Sequence, residues 1–224
     1  FKLIDTANSK EKAYPGSLPL SADNATQTLY LDYDFSNPNA APVASATATP
    51  ASGTAPLAVS LNGSASTDSD GTIASYAWDL GDGASATTAT ASHTYAAGTF
   101  IARLTVIDDK GATGVKNLTI TVNAPPQALA EVSATTGNAP LKITFDGTTS
   151  TDSDGTITTY AWDFGDTATA GIAKPDHTFT VPGDYTVKLT VTDNNGATSL
   201  KELAIKVLPA PASSGSSSGG GGGG

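Results

Sequence analysis

The chain states one sequence twice. Residues 64–82 read SASTDSDGTIASYAWDLGD and residues 148–166 read TTSTDSDGTITTYAWDFGD. Asp68, Trp78 and His93 recur as Asp152, Trp162 and His177 at an offset of 84. After one inserted residue the offset is 85, so that Val106, Asp108 and Gly111 return as Val191, Asp193 and Gly196. Solenoid units repeat every ~20–50 residues, whereas this period fits a whole small domain with its own core. The chain must therefore build two copies of one module. Neither copy carries an obvious chemistry, which points to spacing or binding rather than catalysis.

Charge narrows the partners. Eleven basic against 21 acidic residues give a formal net charge of −10. Nucleic acid and anionic membrane both require clustered Lys and Arg and are disfavoured; cations are better candidates. Cysteine is absent, which excludes disulfide staples and thiolate metal sites. Its absence is compatible with export and does not require it. Methionine is absent too, and a chain starting at Phe1 is expected to be processed or excerpted. No run reaches the ~18 apolar residues of a membrane span, and no signal peptide is visible.

Along the chain, residues 1–38 match neither repeat and are expected to be the end of a preceding domain or a strand docked on the first repeat. Within them Thr28–Phe35 alternates apolar and polar residues as a strand does. The modules are expected at 39–123 and 124–208. Each carries short β-rich runs at spacings of roughly 8–12 residues with Gly, Asp, Asn and Pro between them, and no helical period. In the first copy these are VASATAT, LAVSLNG, IASYAWDL, SHTY, FIARLTVID and GVKNLTITV. The pattern predicts an all-β fold, two tandem antiparallel β-sandwiches. A closing hairpin should turn at Lys110-Gly111 in one copy and at Asn195-Gly196 in the other. Pro125 and Pro126 make the junction short and stiff. Residues 209–224, rich in Ser and Gly, should be a flexible tail.

The segments SYAWDLGDG (75–83) and TYAWDFGD (159–166), with STDSDG upstream and HTY or HTF downstream, closely resemble the PKD (polycystic kidney disease) domain family over about 165 residues. Leu80 departs from the aromatic of that motif, and Thr167 from its second glycine, which puts the tightness of the following turn in question. The resemblance implies immunoglobulin-like sandwiches that serve as accessory modules of secreted bacterial hydrolases or as repeats of surface proteins. The Ser/Gly run is similar to the start of a GlyGly-type C-terminal sorting signal; a plain linker or spacer is the other reading.

The resemblance also implies a calcium site in each repeat. Carried over by position, the first would use Asp68, Asp70 and Asp108 with Asn39 and the Ala40 carbonyl, with Asp109 as an alternative. The second would use Asp152, Asp154 and Asp193 with Asn123 and the Ala124 carbonyl. The chemistry is reasonable, because a hard cation takes several oxygen ligands held by a tight turn. The plainer reading of Asp-x-Asp-Gly is a turn with solvated carboxylates. An EF-hand does not fit, since the glycine comes at the fourth loop position.

The remaining motifs have bland readings. Trp78 and Trp162 could stack on sugars but are expected in the core, with Tyr76 and Tyr160 core or rim. The two histidines, one per copy, should hydrogen-bond at a strand start. Asp79/Asp82 and Asp163/Asp166 belong to a structural turn. No G-x-S-x-G, phosphate loop or H-E-x-x-H occurs. Asn24, Asn62 and Asn117 begin sequons, which matter only in a eukaryotic secretory pathway. The function expected is a non-enzymatic, calcium-stiffened spacer or binding region at the C-terminal end of a larger secreted or surface protein. Its partners would be an upstream domain of the same protein, a hydrolase by expectation, and a polysaccharide or protein polymer. The alternative is an adhesive or filament-forming protein that self-assembles through strand edges.

Overall fold

The computed structural model describes residues 39–211 together with the backbone of two short strands, β1 (Lys2–Asp5) and β2 (Lys10–Ala13). These two pair antiparallel, Lys2 opposite Ala13. The expected Thr28–Phe35 strand and almost all of the expected tail lie outside the described residues. The chain divides into two compact units, Phe1–Ala40 and Ala41–Gly224, and the strands of both repeats fall in the second.

The first repeat holds β3 (Thr47–Thr49), β4 (Ser52–Thr54), β5 (Leu57–Asn62), β6 (Ile73–Asp79), β7 (Ser85–Ala86), β8 (Thr90–Tyr95), β9 (Gly98–Asp108) and β10 (Thr113–Asn123). The second repeats the series as β11 (Glu131–Val132), β12 (Thr136–Asn138), β13 (Leu141–Asp146), β14 (Ile157–Asp163), β15 (Thr169–Ala170), β16 (Asp176–Phe179), β17 (Gly183–Asp193) and β18 (Thr198–Leu208). Each repeat is a three-stranded sheet (β3-β5-β8 or β11-β13-β16) and a five-stranded sheet (β4-β10-β9-β6-β7 or β12-β18-β17-β14-β15). No helix occurs among the described residues, so none there is long and apolar enough to cross a membrane.

The strands follow from the alternation. On β9, Ala102, Leu104 and Val106 are buried while Ile101 and Arg103 face outward; on β17 the buried set is Val187, Leu189 and Val191. Each repeat has its own core. The first gathers Leu61, Trp78, Tyr95, Leu104 and Ile120; the second gathers Ile143, Phe145, Trp162, Phe164, Phe179 and Ile205. Both tryptophans are core residues at 2% and 1% exposure, as expected, and Tyr76 and Tyr160 lie half-buried at the rim.

One feature departs from a purely antiparallel sandwich. After β3 pairs with β5, the chain crosses to the other sheet, where β4 runs parallel to β10 (Thr121 opposite Ser52); β12 does the same with β18. The edges of the five-stranded sheets are short. β7 and β15 have two residues each and β4 and β12 three, which blunts pairing with another chain.

Candidate functional site

The site is built where three segments meet: the lead-in to the repeat, the Asp-Ser-Asp-Gly loop before β6 or β14, and the turn of the closing hairpin. The lead-in is bridged to the loop by paired backbone hydrogen bonds, Val43 with Thr67 in the first copy (2.7 and 3.1 Å) and Gln127 with Thr151 in the second (2.7 and 3.1 Å). A β-bulge then aims the hairpin at the loop. Register shifts between Ile73 and Ser75 opposite β9, and between Ile157 and Thr159 opposite β17. The extra residue leaves Ile73 facing Asp108 and Ile157 facing Asp193, the re-aiming that bulges provide.

Asp193 is 2% exposed. Its Oδ1 accepts the amides of Asn195 (2.8 Å) and Ala197 (2.8 Å), and its Oδ2 accepts the Asn123 side-chain amide at 2.7 Å. Burial pushes the Asp193 carboxyl up, but the hydrogen bonds from Asn123, Ala197, Asn195 and Gly196 outweigh it and hold it below the usual carboxylate range. Asp108, equally buried, accepts the amides of Lys110 (2.9 Å) and Ala112 (2.8 Å) in the same way.

The second repeat thus brings Asn123, Ala124, Asp154 and Asp193 together. The Asn123 amide also donates to the Ala124 carbonyl (2.9 Å), and the Ala124 amide donates to Asp154 Oδ2 (2.9 Å). Asp68 and Asp152 behave differently from the rest. In each, Oδ2 is buried and has no hydrogen-bond partner. An unmatched buried carboxylate oxygen is costly, and it occurs at the same position in both copies. Gly71 and Gly155 let the loop close over it: a Cβ on Gly155 would lie 2.5 Å from Asp152 Oδ2, and one on Gly71 would lie 2.6 Å from Asp68 Oδ2.

Asp109, the alternative ligand, fastens the loop through one of its oxygens. Its Oδ1 accepts the Thr72 amide at 2.9 Å, and Asn194 Oδ1 does the same for Thr156 at 2.7 Å. A position that accepts either Asp or Asn and clamps the loop is a loop fastener. Of the lead-in residues of the first repeat, Asn39 is exposed and Ala40 half-buried. Among the described residues, no three His, Cys, Asp or Glu side chains converge to hold a metal ion by themselves. A cation would draw in addition on carbonyl and amide oxygens such as those of Ala124 and Asn123.

The other motifs are structural. Asp79 and Asp163 accept the amides of Gly81 (3.0 Å) and Gly165 (2.9 Å), and Asp82 and Asp166 accept those of Ala84 (3.1 Å) and Ala168 (3.2 Å). His93 and His177 fasten these turns through Nε2 to Asp82 (2.6 Å) and Asp166 (2.7 Å), from within β8 and β16 rather than at a strand start, which is His177's neighbour Asp176. In the second repeat His177 stacks on Phe164 at 4.2 Å; Leu80 removes that stack from the first, where the Tyr95 hydroxyl donates to the Leu80 carbonyl instead. Thr167 preserves the turn by adopting φ +74 where Gly83 has +93.

Several carboxylates carry pKa values below their usual range. Hydrogen bonds from Lys174 and Thr148 take Asp146 to about 2, the His93 hydrogen bond lowers Asp82, and those of Lys142 and Thr144 lower Asp176. A folded-state pKa below the unfolded one means the native chain binds fewer protons, so stability is present above ~4 and lost as pH falls through the folded value. A pH series of thermal melts should show the midpoint flat near neutrality and falling from about pH 4 towards pH 2.

Known proteins resemble this chain at the level of the module. The PKD domain profile matches twice, at residues 39–122 and 123–207. Collagenase ColA of Clostridium perfringens is 44% identical over 92 residues, covering 41% of this chain and 8% of the collagenase. Pre-pro-metalloprotease PrtV of Vibrio cholerae is 37% identical over 147 residues, 63% of this chain and 15% of the protease. The crystal structure of the PKD1 domain of the latter is 38% identical and superimposes with a TM-score of 0.34, covering 37% of this chain and 96% of that domain. The chain therefore spans a small part of the length of these relatives.

Proposed function

Because the chain belongs to the PKD domain family, in two tandem copies, we propose that it is a non-catalytic accessory region of a larger secreted or surface hydrolase whose repeats are stiffened by calcium. The relatives named above are a collagenase and a metalloprotease, which supports a proteolytic parent acting on a protein polymer. The Ser/Gly-rich run is then a linker or the remnant of a sorting signal.

The observation that carries the calcium reading is the partnerless buried Oδ2 of Asp68 and Asp152 in matched positions. Calcium would supply the positive charge these oxygens lack and draw on the other oxygens of the loop. Asp152, Asp154 and Asp193 would hold it with the Ala124 carbonyl and the Asn123 amide, turned to offer its oxygen. Those lead-in residues follow the end of the first repeat directly, so holding them restrains the joint between repeats.

Asp152→Asn tests the reading. Thermal melts in calcium should show a lowered midpoint for the variant, while in chelator the midpoint should be unchanged or raised, because the substitution removes an unmatched buried charge. An equal loss in both buffers would make the carboxylate merely structural. Calcium should raise the midpoint of the unaltered chain where magnesium, which demands tighter octahedral geometry, does not.

A further inference from the structure

The two loops are not equivalent: they differ at two adjacent positions, Asp109-Lys110 against Asn194-Asn195. In the first repeat the Lys110 ammonium donates to the Asp70 carbonyl at 3.0 Å and lies 3.4 Å from Asp70 Oδ2. At the matching place the second repeat has Asn195, whose side-chain oxygen takes a hydrogen bond from Asn194. The swap is paired with another: Asp109 in the first repeat stands where Asn194 stands in the second. Asp109 and Asp68 both crowd Gly71, since a Cβ there would lie 2.2 Å from Asp109 Oδ1 and 2.6 Å from Asp68 Oδ2. The first loop and its hairpin turn thus carry four acids, Asp68, Asp70, Asp108 and Asp109, and one lysine whose ammonium lies against Asp70. The second has Asp152, Asp154 and Asp193 and no basic residue at the corresponding position.

Resting on the calcium reading above, we infer that Lys110 is a built-in cation that makes the first repeat the weaker calcium site. A divalent ion bound by Asp70 would meet a positive charge already against that carboxylate. If the ammonium stays, the two cations repel across a few ångströms. If it swings out, its hydrogen bond to the Asp70 carbonyl is lost. Either route weakens binding. Calcium then loads the second repeat, at Asn123-Ala124, before the first.

Calorimetric titration of calcium chloride into the full chain tests this, alongside Lys110→Asn and the reciprocal Asn195→Lys. Lys110 has a 44% exposed side chain and Asn195 is exposed, so neither change disturbs a core. The unaltered chain should show one tight site and one weaker by about tenfold or more. Lys110→Asn should bring the weaker site up to the other or beyond it, because the ammonium beside Asp70 is gone while Asp109 remains. Asn195→Lys should weaken the tight site by about tenfold. Two equal sites in the unaltered chain, with Lys110→Asn leaving both unchanged, would overturn the inference while keeping the calcium reading. No binding heat and no calcium-dependent midpoint in any of the three proteins would reject the calcium reading itself.

Discussion

Replacing Trp162 with alanine should destabilise the second repeat by about 3–5 kcal/mol and leave the first folded. Trp162 is 1% exposed, with Phe145 at 5.3 Å, Phe164 at 6.4 Å and the Leu189 side chain on the facing strand of its sheet. Its indole nitrogen donates to the Ile172 carbonyl at 3.1 Å. Truncation removes the largest side chain of that core, leaves a cavity that close-packed neighbours only partly fill, and strands the carbonyl. The two cores are separate clusters, so the effect should be local. In a domain of this size each kcal/mol shifts the midpoint by about 4–8 °C, and differential scanning calorimetry should resolve an early transition from a later one near the original temperature. A single unshifted transition would mean that the tryptophan is available to a ligand and is not needed for packing.

The second large effect should come from Gly81→Ala, with a loss of at least about 2 kcal/mol in the first repeat. Gly81 has φ +85 in the turn after Trp78, and a Cβ there would lie 2.6 Å from the Ile101 carbonyl oxygen and 3.0 Å from the Ile101 carbonyl carbon and amide nitrogen. These are backbone atoms of a central strand and cannot move aside as a side-chain tip can. Gly83 is the control. It also has a left-handed backbone, φ +93, yet nothing lies within 4 Å of its Cβ position. Gly83→Ala should therefore cost only the backbone strain of about 1–2 kcal/mol. Chemical denaturation of both variants separates the two terms. Equal losses would remove the close approach to Ile101 from the account.

The module count, the sandwich class and the core were all readable along the chain, because each rests on local periodicity. Alternation on β9 and β17 sorts inward from outward residues, a Gly after Asp108-Asp109-Lys110 marks the hairpin, and the duplication repeats every signal. Less legible were β4 and β12. Three residues of Ser, Gly and Thr, or Thr, Gly and Asn, carry no alternation, and their parallel pairing comes from a partner some 70 residues away.

Of the candidate site, residue types and loop spacing were visible, and the resemblance supplied the rest of the set. Which of the acids are already satisfied was not. Asp108 and Asp193 each accept two turn amides on Oδ1, Asp109 and Asn194 fasten the loop, and among the described residues Asp68 and Asp152 keep a buried oxygen unmatched. Sequence alone determined that two sandwiches form and that each carries an acidic loop on a glycine, since these depend on the period of the side chains and on turn chemistry within a few residues. Only the tertiary structure decided that a bulge turns Asp193 towards the loop, that Asn123 and Ala124 reach it, and that Lys110 stands beside Asp70 with no counterpart in the second repeat. Those outcomes depend on distances between segments far apart in the chain, where hydrogen-bond satisfaction and charge are settled by packing.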